Sequence, residues 1–182
     1  AGYMLDGIMI NAGPSGSCDN LATNSINCDL TGNAGDWNIE TMTQAAVREH
    51  SDLELDKNNG HVNENGIYNY HGIPESLVTA LVGDTNSAMT LIGWAIDGFP
   101  IYAQYGYSDA SDATSLLKNI KGSYQLIGSN IETRPSIDAF PLGTFTEDWE
   151  YIKGSGDLDE CNGRFGVTQE FPNGIYHYFA TN

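Results

Sequence analysis

The sequence predicts a β-rich α+β domain, with short strands, a few short helices and an internal pseudo-twofold duplication. Three observations carry this prediction. The 182 residues include 21 glycines, ten tyrosines and many Asn, Ser, Thr and Asp, a composition of short strands and frequent turns. Hydrophobic residues come in brief alternating runs, with little helical periodicity. Finally, the chain says nearly the same thing twice: LDKNNGH (55–61) then NGIYNYH (65–71), and LDECNGR (158–164) then NGIYHYF (173–179).

In chain order, YMLDGIMINAG (3–13) reads as strand, with a turn or bulge at Asp6-Gly7. A loop rich in Gly, Ser and Asn follows and contains Cys18 and Cys28. A disulfide between them would restrain the loop by about 2–3 kcal/mol and implies an oxidising compartment. Their nine-residue spacing matches no common zinc site. DWNIETMTQAAVREH has helix-like spacing, with Thr41 or Thr43 as N-cap and Ile39, Met42, Ala46 and Val47 on one face. IPESLVTALVGD predicts a helix with Pro74 in its first turn, Glu75 at the positive dipole end and Gly83 as its stop. LIGWAIDGFPIYAQYGY predicts a strand, a turn at Asp97-Gly98 and a second strand, with Pro100 at a strand start or edge. SDASDATSLLKN reads as a capped helix or a loop, SYQLIGSN as a strand and RPSIDAFPLGTF as irregular.

The repeat extends beyond its motifs. LDGIMINA (5–12) parallels IDGFPIYA (96–103), and DWNI (36–39) parallels DWEY (148–151). The order D-G, D-W, L-D-x-x-N-G, N-G-I-Y-x-Y therefore recurs, which predicts one domain (1–182) of two halves, roughly 1–89 and 90–182.

Composition narrows the partners. Seven basic residues against 24 acidic ones give a formal charge of −17, which argues against nucleic acid and anionic membrane. No apolar run reaches the roughly 20 residues of a membrane span, and AGYMLDG does not read as a signal peptide. The fingerprints G-x-S-x-G, H-E-x-x-H, the P-loop and G-x-G-x-x-G are absent, which removes the common hydrolase, zincin and nucleotide readings.

Three of the four histidines lie in the repeats: His61, His71 and His177. If the two N-G-I-Y strands pair antiparallel, one register sets His71 opposite His177 with Cβ atoms about 5 Å apart, and His61 adds a third nitrogen. Imidazoles suit Zn or Cu. Calcium is a weaker expectation, because the oxygen-rich turns lack the full D-x-[DN]-x-[DN]-G pattern. Asp97, in the most apolar segment, is either a turn residue or a buried catalytic acid. Tyr68 and Tyr70 share one strand face, as do Tyr176 and Tyr178, and such faces offer a surface for a glycan, protein or small-molecule ligand. Arg164 pairs with Asp159 or Glu160, or orients an anionic ligand. Cys161 reads as a free, partly buried thiol. The competing reading for the histidines is a satisfied structural role.

IGWAIDGFPIYA, LDECNGRFGVTQEFPNGIYHYFAT and YNYHGIP resemble the YHYH-domain proteins of bacteria and marine viruses, over roughly 55–181. The first copy has Asn69 where the Y-H-Y-H motif has its first histidine, and the second ends in Phe179. The resemblance implies a secreted, periplasmic or virion-associated setting and no particular reaction. Together these readings predict a metal- or ligand-binding domain centred on the histidines. The alternatives are a metal-dependent hydrolase or oxidase using them with Asp97, and an adhesive module.

Overall fold

A computed structural model describes residues 1–14, 16–29, 34–42, 55–63, 65–83, 88–127 and 132–181. Among these residues the short strands are β1 (Gly2–Met4), β2 (Met9–Ile10), β3 (Ser17–Cys18), β4 (Cys28–Asp29), β5 (Trp37–Asn38), β6 (Gly60–Val62), β7 (Tyr68–Tyr70), β8 (Leu91–Ala95), β9 (Pro100–Tyr102), β10 (Tyr105–Tyr107), β11 (Leu117–Asn119), β12 (Tyr124–Leu126), β13 (Trp149–Tyr151), β14 (Gly163–Gly166) and β15 (Ile175–Phe179). Helix α1 spans Glu75–Val82. The β-rich expectation holds. The described residues pack as two compact units, one of 1–11, 55–123 and 152–182, the other of 12–54 and 124–151.

The first unit is built on an eight-stranded sheet ordered β14-β15-β9-β8-β1-β2-β7-β6. Two hairpins with D-G turns supply its centre. Asp6 Oδ1 accepts from the Ile8 N–H at 3.0 Å, and Asp97 Oδ1 accepts from the Phe99 N–H at 3.2 Å. Gly7 and Gly98 take φ of 84° and 88°, where a side chain would be strained. The central strands β1 and β8 run antiparallel, with Tyr3 opposite Trp94. Outward from them, β2 pairs parallel with β7 through Ile10↔Tyr70, and β9 pairs parallel with β15 through Ile101↔Tyr178. The edges are antiparallel: β6 on β7 with Gly60↔Tyr70 and His61↔Asn69, β14 on β15 with Gly163↔Tyr178 and Arg164↔His177. Set against β6-β7-β2-β1, the strands β14-β15-β9-β8 match position for position.

Cross-strand partners share a face. On one face Met4, Ile10, Tyr70 and Ile101 form a core with Val78 of α1. α1 stops as predicted, with Gly83 at φ 75° ending it, and Pro74, expected in its first turn, is the N-cap just ahead of Glu75. A second core joins Tyr102, Tyr107, Ile120, Leu158 and Phe179. Of the two readings of SDASDATSLLKN, the structure shows the loop: turns through 109–115 lead into β11. Asp109 and Asp112 each accept from the N–H two residues on, so their side chains favour local turns over helix.

In the second unit β3 lies between β4 and β5, and Cys18 and Cys28, cross-strand partners, form the predicted disulfide. Trp37, Ile39, Phe140 and Phe145 make its core. Trp37 and Asn38 form β5, ahead of the expected N-caps; most of the helix expected after Thr41 or Thr43, with Ala46 and Val47, falls outside the described residues. A buried ion pair organises the irregular segment. The Arg134 guanidinium donates from Nε to Asp148 Oδ1 at 2.6 Å and from Nη2 to Oδ2 at 2.8 Å, while Nη1 donates to the Pro135 and Phe140 carbonyls.

Candidate functional site

The repeated motif builds the same hydrogen-bonded staple at both flanks of the sheet. Asp56 Oδ1 accepts from the Asn58 and Gly60 N–H groups, and its Oδ2 accepts from the Tyr68 hydroxyl at 2.7 Å. Asp159 does the same with the N–H groups of Cys161 and Gly163 and the Tyr176 hydroxyl at 2.9 Å. Asn59 and Asn162, at φ 56° and 58°, complete the two turns. The second tyrosine of each motif reaches the D-G turn: Tyr70 donates to Asp6 at 2.9 Å, and Tyr178 to Asp97 at 2.6 Å. Glycine is needed beneath the first tyrosine, because a Cβ at Gly60 or Gly163 would collide with the Tyr68 or Tyr176 ring. All four motif tyrosines thus spend their hydroxyls on carboxylates.

Electrostatics agree with this role. Burial, then the Asp56 carboxylate, pushes the Tyr68 hydroxyl up to about 12. The hydrogen bond to Asp97 and then burial push Tyr178 up to about 12. The Tyr178 hydroxyl, with the Phe99 N–H, holds Asp97 below the usual carboxylate range. Asp97 is therefore an exposed, ionised turn residue, and of its two readings the structure favours the turn.

The histidines divide. His61 of β6 and His71, just after β7, lie on one face, with their Nε2 atoms 3.0 Å apart and ring centroids at 4.9 Å. Burial lowers the pKa of His61; burial and then His61 lower that of His71. His71 Nδ1 is buried without a well-formed hydrogen bond, although the Asn11 backbone lies near enough to favour the charged ring. His177 does not join them. β7 and β15 do not pair; β2, β1, β8 and β9 stand between them. Five strand spacings of about 4.8 Å separate His177 from that pair by roughly 24 Å. The motif tyrosines need D-G turns on two different hairpins, which is why the copies stand apart. Among the described residues, no group of three or more His, Cys, Asp or Glu is arranged to hold a metal ion.

His177 is 0% exposed, packed between Tyr102 and Phe179, with Nδ1 donating to the Ile175 carbonyl at 2.9 Å. Arg164 pairs with neither Asp159 nor Glu160 through a salt bridge. Its Nη2 donates to the Tyr107 carbonyl at 2.8 Å and its guanidinium covers the Phe179 ring; burial lowers its pKa, and Asp157 and Asp109 oppose that only in part. Cys161 is exposed, where a partly buried thiol is expected; the Asp159 staple turns it outward. Sequence reasoning misses Asp6 as the partner of Tyr70, although the recurrent D-G dipeptide signals it. It also misses the Tyr102 hydroxyl, which Thr168 and Glu170 hold at 2.8 and 2.7 Å, for which no motif exists.

Fold and motif together define a β-rich protein in which two separate N-G-I-Y-x-Y strands are each stapled to acidic turns. The model of the YHYH protein family matches residues 1–182, and the chain belongs to that family. No curated protein and no solved structure matches it. Among the described residues, no helix is long and apolar enough to cross a membrane.

Proposed function

We propose that this YHYH protein is an extracytoplasmic ligand-binding domain whose working centre is the His61–His71 pair. The ligand is a transition-metal ion, Zn or Cu. The observation that carries the reading is the convergence of two Nε2 atoms at 3.0 Å. Two nitrogens bound at about 2.0–2.1 Å to one ion stand roughly 2.9–3.4 Å apart for angles between square and tetrahedral. Neither histidine makes a salt bridge with a carboxylate among the described residues. Water or substrate would then complete the coordination, which leaves an open site. The same openness admits metal-dependent hydrolysis or oxidation, without Asp97. Calcium fits less well, because the Asp56 and Asp159 oxygens already serve turn N–H groups and tyrosines.

The test is calorimetric titration with Zn(II) and Cu(II) chloride. One ion should bind per chain, and His61→Ala or His71→Ala should weaken binding at least tenfold, with Tyr178→Phe unaffected. No stoichiometric binding, or equal binding in all variants, would sink the proposal.

A second reading has its own observation. Tyr3 and Trp94, directly opposed at the middle of the sheet, are 57% and 39% exposed. This aromatic pair, and not the staple tyrosines, is the surface on which a sugar would stack.

The sheet further supports descent from a tandem duplication about a pseudo-twofold axis between β1 and β8. Position-for-position strand order, matched registers and four matched Tyr–Asp bonds carry that view. The disulfide fits a secreted, periplasmic or virion-associated setting.

A further inference from the structure

Arg164 and His177 are direct cross-strand partners on β14 and β15, and each carries a buried polar atom that meets no hydrogen-bond partner among the described residues. His177 donates from Nδ1 to the Ile175 carbonyl, so in the neutral ring the lone pair sits on Nε2. That Nε2 meets no donor. Arg164 uses Nη2 on the Tyr107 carbonyl, and its Nε–H meets no acceptor. Both groups pack on one ring, Phe179, with the guanidinium carbon 5.1 Å and the imidazole centroid 5.1 Å from its centre. One orphan donor and one orphan acceptor therefore stand on opposed side chains. Native interiors satisfy such groups with ordered water.

We propose that a single water molecule is bound between Arg164 Nε and His177 Nε2. The Arg164 N–H donates to the water oxygen, and one water O–H donates to the imidazole lone pair. Opposed Cβ atoms stand about 5 Å apart, and both side chains rest on the same Phe179 ring, which keeps their polar ends on one side of the sheet. A neutral ligand fits better than an anion. Asp157 and Asp109 already balance the charges of Arg164 and Lys118, and Lys118 sits 2.5 Å from Asp157. The histidine of the Y-H-Y motif is then a neutral structural group tying the edge strand to its neighbour through water. It is independent of the His61–His71 site.

A high-resolution crystal structure of the intact protein, grown in low salt and in parallel soaked with bromide, tests this. The expected result is one isotropic peak within hydrogen-bonding distance of both nitrogens, with no anomalous signal after bromide. Histidine ring ¹⁵N spectra should show His177 protonated on Nδ1 alone. In His177→Phe the peak should vanish. A direct Arg164–His177 hydrogen bond, no peak between the two nitrogens, a bromide signal, or a proton on His177 Nε2 would each overturn the proposal.

Discussion

The Tyr178 hydroxyl donates to Asp97 across 2.6 Å, fastening β15 to the turn between β8 and β9. Tyr70 and Asp6 repeat the bond at 2.9 Å on the other flank. These contacts place the most repetitive residues of the chain in service of the sheet, and leave His61 and His71 as the imidazoles that meet.

Tyr178→Phe removes a hydrogen bond to a charged acceptor and should cost about 1.5–3 kcal/mol in urea unfolding. Tyr70→Phe should cost a similar amount. Metal titration of both variants should match the wild type. A loss of ion binding without loss of stability would mean that the tyrosines serve a ligand.

Gly163→Ala drives a methyl group into the Tyr176 ring and should destabilise by about 1–3 kcal/mol. The same substitution in a Tyr176→Ala background should cost measurably less, because the colliding ring is gone. Thermal unfolding of the four proteins gives the coupling.

Stability should decline as pH falls below about 6.5. Burial lowers the pKa of both His177 and His71 in the folded chain, so the unfolded chain binds more protons in this window. Their stabilising contribution is fully present above the ordinary histidine value and is lost as pH falls through it. Urea midpoints between pH 7.5 and 5 should shift downward, and His177→Gln should reduce the slope. A flat profile would contradict burial of neutral imidazole.

Arg134→Met should destabilise the second unit by about 3–5 kcal/mol, since it strands Asp148 as a buried unpaired charge. The double variant with Asp148→Asn should recover part of that loss, because a neutral amide oxygen still accepts from the Gly143 and Phe145 N–H groups, read by circular dichroism during guanidinium unfolding.

Reduction of Cys18–Cys28 should lower stability by about 2–3 kcal/mol. Cys18→Ser should reproduce the shift, and added dithiothreitol should then have no further effect.

How much was legible follows the range of each signal. The D-G hairpins, α1 with its Gly83 stop and the disulfide are local, and turn chemistry or loop composition announces them. The placement of β7 and β15 is not local. Both are N-G-I-Y strands, and mutual pairing looks natural from sequence, but each is drawn to a different hairpin by Tyr70–Asp6 or Tyr178–Asp97. No periodicity encodes that choice. For the same reason the three histidines resolved into a close pair and a buried single residue. The Arg134–Asp148 pair joins residues from an irregular stretch whose order comes from buried charge, which hydrophobic patterning cannot register.

The pairing of Gly2 with Ala95 at the middle of the sheet sets the timetable of folding. During synthesis, the first hairpin must wait for half the chain before its partner hairpin exists, and β15 must emerge before the sheet is complete. The protein is therefore expected to fold slowly, with its apolar centre exposed in the interval. A chaperone requirement would then arise from topology, not from marginal final stability.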